Sequence, residues 1–179
     1  VLSVIGMHHY RLEIFNTDLR WICLLRENDI LRRLTFYHDT ATAAKAMVET
    51  EIGHSVSLQT NATPLARALT KYAKGERISF SDIPTCASRT SFQQKVLSCC
   101  QQIPYGCTMT YGEIAKQVGH VGAARAVGGV MRTNNCPLVV PCHRVLGSNG
   151  KLTGFSAGTG LGLKRRLLQM EGINQKIVF

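Results

Sequence analysis

Alternation of apolar and polar side chains with a period of two is confined to residues 10–37, and this restricts the possible folds more than any other feature. Three runs share the pattern: Leu12 and Ile14 belong to the first, Trp21, Cys23 and Leu25 to the second, and residues 30–37 to the third. The turn-forming sequence Glu27-Asn28-Asp29 separates the last two runs. Three neighbouring strands joined in this way predict an antiparallel meander.

Helical patterns dominate the remainder of the chain. Residues 40–52 and 61–74 are rich in Ala, Leu, Lys and Glu, and the second segment has Asn61 or Thr63 as its candidate N-cap. A third helical stripe covers residues 91–102. A small sheet followed by helices predicts an α/β protein of the α+β kind.

A linker is predicted between two small domains. Residues 75–89 contain Pro84 and lack long apolar runs, which is typical of a connecting segment. We therefore place a boundary near residue 85. The expected N-terminal domain, residues 1–85, carries the antiparallel sheet with its helices, and the expected C-terminal domain, residues 86–179, is mainly helical.

Positive charge is concentrated in the second half of the chain. Ten of the 21 Lys and Arg residues but only two of the 11 Asp and Glu residues follow residue 90, so this half carries +8 of the formal net charge of +10. Such asymmetry favours contact with a polyanion, because basic groups that neutralise phosphates release condensed counterions. A basic surface that serves only solubility has the same signature.

The cysteine pattern bears on the compartment. The seven cysteines are odd in number and include no C-x-x-C pair, so they predict neither a disulfide framework nor a zinc knuckle. No apolar run approaches the roughly 18 residues of a membrane span, and Val1 to Gly6 is too short for the apolar region of a signal peptide. We expect an intracellular protein without membrane attachment, in the nucleus or the cytoplasm, and in the nucleus if the source is eukaryotic.

A helix-turn-helix is predicted over residues 110–133. Thr110 and Glu113 fit a capping box, in which the hydroxyl and the carboxylate satisfy N–H groups at a helix start. This short helix extends to Gly119, and a second helix covers residues 122–133 after a brief turn. Ordinary helical hairpins give a similar pattern.

The second of these helices has two different faces. The side suited to packing carries Ala123, Ala124, Val127, Val130 and Met131. The opposite side carries Arg125, Gly128, Gly129 and Arg132 at positions i, i+3, i+4 and i+7. Each glycine costs about 1 kcal/mol relative to alanine in a helix, so a close approach should compensate. Either a DNA backbone or another protein element could make that approach.

Cys142 is the best candidate nucleophile among the seven cysteines. It follows Pro137–Pro141, a short apolar segment predicted to be a strand, and its neighbours His143 and Arg144 predict an electropositive setting that favours the thiolate. His143 can deprotonate the thiol directly only if the chain turns here, and otherwise through a water. Glu171 is a candidate to orient the imidazole. A Cys-His dipeptide is also compatible with a structural pair or a fragment of a metal site.

A series of short motifs occupies residues 91–172 almost continuously. In chain order they are Thr110-Tyr111-Gly112, Ala124-Arg125-Ala126-Val127-Gly128-Gly129, Asn134, Pro141-Cys142-His143-Arg144-Val145, Gly154-Phe155-Ser156, Leu167-Leu168 and Glu171-Gly172. Together they closely resemble the O6-alkylguanine-DNA alkyltransferase family. The first ninety residues match that family only in general layout.

The resemblance implies repair of DNA by direct damage reversal. The expected reaction is irreversible transfer of the alkyl group from O6-alkylguanine, and from O4-alkylthymine, in duplex DNA to Cys142, once per protein molecule. This is the activity of a methylated-DNA–[protein]-cysteine S-methyltransferase. The resemblance also implies a ribonuclease H-like N-terminal domain, flipping of the damaged nucleotide from the minor groove, a monomer, and no cofactor.

Roles for individual residues follow from the same resemblance. His143 would act as the base through water, Glu171 would orient it, and Asn134 would be a hydrogen-bonded hinge that places the nucleophile. Tyr111 would rotate the phosphate and donate a proton or hydrogen bond to the departing guanine. Arg125 would fill the gap left in the base stack.

Further contacts are implied for the base and the groove. The Ser156 backbone N–H would hold O6, the carbonyls of Cys142 and Val145 would read the exocyclic amine, and Phe155 would form an aromatic pocket wall in place of the family's common tyrosine. The groove-facing helix would present Ala123, Ala124, Gly128, Gly129 and Arg132.

Two other classes compete with this interpretation. A non-catalytic module could bind and flip alkylated guanine, but relatives of that kind replace the reactive cysteine, usually by tryptophan. A thiol hydrolase could use Cys142 and His143, but the basic, glycine-faced helix would then be unexplained. No metal is predicted, because Cys23, His8, His9, His38 and His54 show no convincing ligand spacing.

Overall fold

The computed structural model describes residues 10–53, 55–59, 62–85 and 89–174. The strands are β1 (Tyr10–Thr17), β2 (Arg20–Glu27), β3 (Ile30–His38), β4 (Met109–Thr110) and β5 (Val145–Leu146). The helices are α1 (Ala41–Ile52), α2 (Pro64–Ala73), α3 (Ser91–Gln101), α4 (Tyr111–Gln117), α5 (Ala124–Arg132) and α6 (Leu161–Met170), with short 3-10 helices at Cys142–Arg144 and Ser148–Gly150. The result is a mixed α/β structure.

The predicted meander is confirmed. β1, β2 and β3 form an antiparallel sheet in sequence order, with Leu12 opposite Leu25. The turn between β2 and β3 contains Asn28 in the left-handed region, with φ of 53°, a conformation that asparagine tolerates well. Because side chains alternate along β2, Cys23 and Leu25 pack on α1, while Ile22 and Leu24 face the main core.

Side-chain caps determine where the first two helices begin. The Thr40 hydroxyl accepts the Ala43 N–H at 3.0 Å at the start of α1. Thr63 accepts the Ala66 N–H at 3.3 Å, and Pro64 occupies the first turn of α2. Thr63 is therefore the N-cap of α2. The alternative cap, Asn61, lies outside the described residues.

One continuous hydrophobic core joins the two halves of the chain. The inner face of the sheet and α2 share it with α3, α5 and the segment around Cys142. The predicted linker also lies against the sheet, where the Leu31 N–H of β3 donates to the Pro84 carbonyl at 2.9 Å. The predicted boundary at residue 85 adjoins residues 86–88, which are not described.

The predicted helix-turn-helix consists of α4 and α5. Its capping box has the expected geometry: the Thr110 hydroxyl accepts the Glu113 N–H at 3.1 Å, and the Glu113 carboxylate accepts the Thr110 N–H at 2.6 Å. Val127, Val130 and Met131 of α5 are buried, as predicted for the packing face, whereas Ala123 and Ala124, predicted for the same face, are only half-buried.

The prediction of a strand over Pro137–Pro141 is wrong. This segment is a buried turn in which Leu138 has a φ of 71° and the Val140 N–H donates to the Cys136 carbonyl at 2.8 Å. The Asn134 side chain accepts the Cys136 N–H at 3.0 Å and donates to the Val140 carbonyl at 2.8 Å. These bonds use the backbone groups that a strand ladder would need, and proline has no N–H to offer.

Within the described part of the chain, every helix is too short or too polar to cross a bilayer.

Candidate active site

A cavity of about 730 Å³ lies beside the helix-turn-helix. Its walls come from α4, α5, the Cys142 turn and residues 147–156. The lining residues are Thr110, Tyr111, Gly112, Ala124, Arg125, Gly128, Met131, Arg132, Cys142, Gly147, Ser148, Thr153, Gly154, Phe155 and Ser156. The fold therefore brings residues from motifs that are far apart in the sequence into one cavity.

Cys142 is the one described cysteine that lines this cavity. Its side of the cavity is nearly closed, since the residue is only 6% exposed. Burial raises the pKa of the Cys142 thiol, and a hydrogen bond from Asn134 and the charge of Lys164 offset this only in part. Cys23, Cys99 and Cys100 also have raised pKa values, so position distinguishes Cys142 from them.

The prediction of a thiolate-favouring setting at Cys142 is therefore wrong. The chain turns at Cys142–Arg144 as a 3-10 helix, and Arg144 points its guanidinium to Glu171 and to the Ile103 carbonyl. Because that charge is committed elsewhere, desolvation dominates at the sulfur. The thiol needs a base to lose its proton.

His143, the residue that follows Cys142 in the sequence, is fully buried. Its Nε2 lies 2.9 Å from Oε1 of Glu171, while Nδ1 has no hydrogen-bond partner among the described residues. Burial lowers the pKa of His143, and the hydrogen bond and charge of Glu171 act in the opposite direction. The resting imidazole is neutral, with its proton on Nε2 and a lone pair on Nδ1.

Glu171 is the centre of a buried polar cluster. Its carboxylate accepts two hydrogen bonds from Arg144 at 2.9 Å each, one from His143, and one from the Gly106 N–H at 3.2 Å. Burial raises the pKa of this carboxyl, but the bonds from His143 and Arg144 outweigh burial and bring it to about 2. Glu171 is therefore ionised and can only accept hydrogen bonds.

Two contributors to the site were not predicted. Tyr72 of α2 places its hydroxyl 2.6 Å from Oε1 of Glu171 and 3.3 Å from Nε2 of His143. Tyr72 shares a buried helical stripe with Leu65 and Leu69, which predicts that its ring is buried. No local motif indicates that its hydroxyl bonds Glu171 and His143, which are distant in sequence.

Lys164 is the second contributor that was not predicted. Its ammonium is buried next to residues that line the cavity. Nζ donates to the carbonyls of Val145 at 2.6 Å and Thr153 at 2.9 Å, and burial lowers its pKa to about 8. Lys164 and Arg144 are among the ten basic residues of the second half of the chain, yet both are buried and do not add to its surface charge. The position of Lys164 three residues before Leu167 on a buried stripe was the available signal.

The outer face of α5 is open. Arg125, Gly129 and Arg132 are exposed. A Cβ added at Gly129 would meet nothing within 4 Å, and one at Gly128 would be in ordinary contact with the Tyr111 ring at 3.8 Å. No described protein element therefore requires these glycines.

The remaining predicted site residues lie around this cavity in different ways. Phe155 and Ser156 line it. Val145 is buried outside the lining set, and its carbonyl already accepts the Lys164 ammonium. Ala123 precedes α5 as its N-terminal boundary and is half-buried.

The described residues include no group of three His, Cys, Asp or Glu side chains placed to hold a metal ion. Of the histidines considered for that purpose, His8, His9 and His54 lie outside the described residues.

Comparison with known proteins identifies the class. Residues 91–173 match the family model described as 6-O-methylguanine DNA methyltransferase, DNA binding domain. A methylated-DNA–protein-cysteine methyltransferase of Methanosarcina acetivorans is 48% identical over 107 residues, which cover 60% of this chain and 67% of that relative. The curated relatives are matched over 58% to 69% of their own length.

Solved structures match over nearly the whole chain. The Mycobacterium tuberculosis O6-methylguanine methyltransferase superposes with a TM-score of 0.74 at 37% identity, covering 92% of this chain and 93% of that one. A structure of Mycobacterium tuberculosis OGT in complex with DNA gives 0.74 at 33% identity, covering 94% and 96%.

A DNA-binding methyltransferase is the class that these matches define. In particular, the chain belongs to the methylated-DNA–protein-cysteine methyltransferase family, which confirms the resemblance identified from the sequence.

Proposed function

We propose that this protein repairs DNA by moving the alkyl group of O6-alkylguanine, and of O4-alkylthymine, from duplex DNA onto Cys142. The relatives named above carry the methyltransferase name, and the Mycobacterium tuberculosis OGT structure named above is a complex with DNA. The observation that carries the proposal is the position of Cys142, the one described cysteine in a cavity lined by Tyr111 and Arg125.

The proposed chemistry begins with the thiol proton. Although the chain turns at Cys142, Nδ1 of His143 makes no hydrogen bond to the thiol, so in this proposal a bridging water passes the proton from Cys142 to Nδ1, and Glu171 stabilises the imidazolium that results. The thiolate attacks the alkyl carbon, the C–O6 bond breaks, and its electron pair goes to the guanine. Burial raises the pKa of Tyr111, so its phenol stays protonated and can donate to the departing base.

The product explains why each molecule reacts once. A thioether is not a substrate for thiol exchange, which requires a disulfide sulfur. The alkylated Cys142 therefore persists, and the protein is consumed stoichiometrically.

DNA recognition is proposed for the outer face of α5. Ala123, Ala124, Gly128 and Gly129 let the minor-groove backbone approach closely, and Arg132 adds positive charge. Arg125 enters the stack where the damaged nucleotide has left, since a base inside a duplex is inaccessible to the thiol.

The extruded base would occupy the cavity. Phe155 supplies an aromatic wall, and the Ser156 N–H holds O6. The carbonyls of Cys142 and Val145 accept from the exocyclic amine, that of Val145 through the lone pair that its bond from Lys164 leaves free. Asn134 acts as the hinge, because its two hydrogen bonds hold the turn that leads to the nucleophile.

Further proposals concern the domains, the oligomeric state and the cellular location of the whole chain. We infer an N-terminal domain of ribonuclease H-like type over residues 1–85 and a DNA-binding, alkyl-accepting domain over residues 86–179. The protein acts as a monomer, and its DNA substrate places its work inside the cell.

Mass spectrometry after incubation with O6-methylguanine duplex tests the proposal. We expect one added methyl group on the peptide that contains Cys142. The Cys142→Ser variant should lose transfer but keep its affinity for the duplex, because an alcohol is a far weaker nucleophile than a thiolate. Cys107→Ser, at an exposed thiol, is the matched control.

The same measurement separates the competing classes. Methyl on Cys136 or Cys107 would overturn the assignment of the acceptor. Release of a free product over many turnovers would identify a hydrolase, and binding of the lesion without any transfer would identify a recognition module.

A further inference from the structure

The hydroxyl of Tyr72 lies between the two groups that activate the proposed nucleophile. It is 2.6 Å from Oε1 of Glu171 and 3.3 Å from Nε2 of His143, and all three side chains are buried. Tyr72 belongs to α2, in the half of the chain that carries no recognisable motif. We propose that Tyr72 is a positioning residue for alkyl transfer, which rests on the proposed function of Cys142.

The hydrogens in this cluster can be assigned from the chemistry of the groups. Glu171 is ionised and only accepts, so the single hydroxyl hydrogen of Tyr72 goes to Oε1. Nε2 of His143 also contacts that oxygen and must therefore carry its own proton. The lone pairs of the Tyr72 oxygen are then available to Nε2–H. Two acceptors face one N–H, which fixes the imidazole with Nδ1 as the basic atom.

The aromatic ring of Tyr72 is held rigidly enough for this task. Its centroid is 5.8 Å from that of Phe80 and 6.0 Å from that of Tyr105, both in edge-to-face geometry. Leu69, one turn earlier in α2, is also fully buried. Because the ring cannot swing away without opening the core, the hydroxyl stays on Glu171.

The other charged and titratable groups of this cluster come from several elements. Arg144 belongs to the 3-10 helix, Lys164 to α6 and Tyr105 to the loop after α3. Arg144 bonds both oxygens of the Glu171 carboxylate, but its guanidinium has only donors, so it cannot replace the Tyr72 oxygen as an acceptor at Nε2 of His143. Tyr105 instead shares its single hydroxyl hydrogen between the carbonyls of Gly75 and Met170.

Tyr72→Phe tests the proposal because it keeps the ring and removes only the hydroxyl. The rate of transfer from free O6-benzylguanine to Cys142 should fall about tenfold, the change that ~1.4 kcal/mol produces. Tyr105→Phe is the matched control, since it removes a neighbouring hydroxyl with two hydrogen bonds but no contact to His143. We expect the control to melt earlier yet react at the wild-type rate.

A double-mutant cycle separates positioning from general stability. In a His143→Ala background, Tyr72→Phe should cause no further loss, because its effect passes through the imidazole. A wild-type rate for Tyr72→Phe, or an equal loss in the His143→Ala background, would overturn the proposal. If the wild-type protein transferred no benzyl group to Cys142, the proposed function would be overturned, and the role of Tyr72 with it.

A measurement on the unmodified protein keeps the proposal testable even if Tyr72→Phe does not fold. NMR of isotope-labelled wild type should show His143 protonated at Nε2 and a slowly exchanging Tyr72 hydroxyl proton close to the His143 ring. A proton on Nδ1 with a bare Nε2, or a rapidly exchanging hydroxyl, would contradict the assignment.

Discussion

Arg144 and Glu171 form a buried bidentate ion pair, with Nε 2.9 Å from Oε2 and Nη2 2.9 Å from Oε1. The two side chains are only 5% and 0% exposed. Removing one partner of such a pair leaves a buried charge without compensation, which is strongly destabilising. The pair therefore ties the stability of the fold to the same carboxylate that orients His143.

Acid should unfold the protein through this cluster. The pKa of Glu171 is about 2 in the fold against an ordinary 4.5, so its contribution is complete above about pH 4.5 and is lost as the pH falls towards 2. The contribution is on the order of 3 kcal/mol. His143 acts in the same direction, because its pKa is lowered in the fold and protonation below about pH 6.5 favours the unfolded chain.

Urea denaturation between pH 7 and pH 3 measures this effect. The wild-type free energy of unfolding should fall steeply over that range, whereas Glu171→Gln should start lower and fall less. Glu76→Gln, at an exposed carboxylate, should follow the wild-type curve. A parallel fall in wild type and Glu171→Gln would show that other groups control acid stability.

Gly129→Ala should make the protein more stable but a poorer DNA binder. An added Cβ meets nothing within 4 Å in the protein, and alanine in a helix is favoured over glycine by about 1 kcal/mol. The same methyl group would obstruct an approaching DNA backbone. Thermal melting and fluorescence anisotropy with duplex at fixed salt measure the two effects.

Gly162→Ala is the matched control for that variant. Gly162 lies in α6, where an added Cβ has only an ordinary contact at 3.8 Å. It should raise the melting temperature without changing DNA affinity. Unchanged affinity in Gly129→Ala as well would mean that this face of α5 does not meet DNA.

Lys164→Met should loosen the wall of the cavity. The ammonium holds the carbonyls of Val145 and Thr153, and Thr153 lines the cavity. Loss of a buried donor leaves these acceptors unsatisfied, at a cost of roughly 1–3 kcal/mol each. Hydrogen exchange of residues 153–156 should accelerate. Lys151→Met, at an exposed lysine, should leave the exchange rates as they are, and equal rates in both variants would refute the role.

The sequence was sufficient for the elements whose signals are local. Alternation located the three strands. The Thr110 capping box located the start of α4, and Thr63 was one of two candidate caps for α2, because a cap needs only groups within three residues. The same local reasoning failed for Pro137–Pro141. Its apolar run has the composition of a strand, but the Asn134 side chain takes the hydrogen bonds that a strand requires.

The site was only partly predictable for a related reason. Cys142, Tyr111 and Arg125 stand in motifs and line one cavity. The hydroxyl of Tyr72 contacts Glu171 across 99 positions of sequence, and no local pattern encodes such a pairing. The electropositive setting predicted for Cys142 was wrong because proximity in sequence does not fix where the guanidinium of Arg144 points.

Arg125→Ala separates base extrusion from chemistry. Arg125 is exposed on α5, and its proposed role is to occupy the stack and offset an unstacking cost of a few kcal/mol. The reaction with methylated duplex should therefore slow markedly, about tenfold for each ~1.4 kcal/mol lost. Free O6-benzylguanine has no stack to leave, so its reaction rate should change little.

His143→Ala provides the contrast, because loss of the base should slow transfer from both substrates alike. Single-turnover rates on duplex and on free base, measured for both variants with folding checked by circular dichroism, give the comparison. If Arg125→Ala slowed the free base as much as the duplex, Arg125 would belong to the machinery that activates Cys142. Its assignment as the residue that fills the base stack would then be wrong.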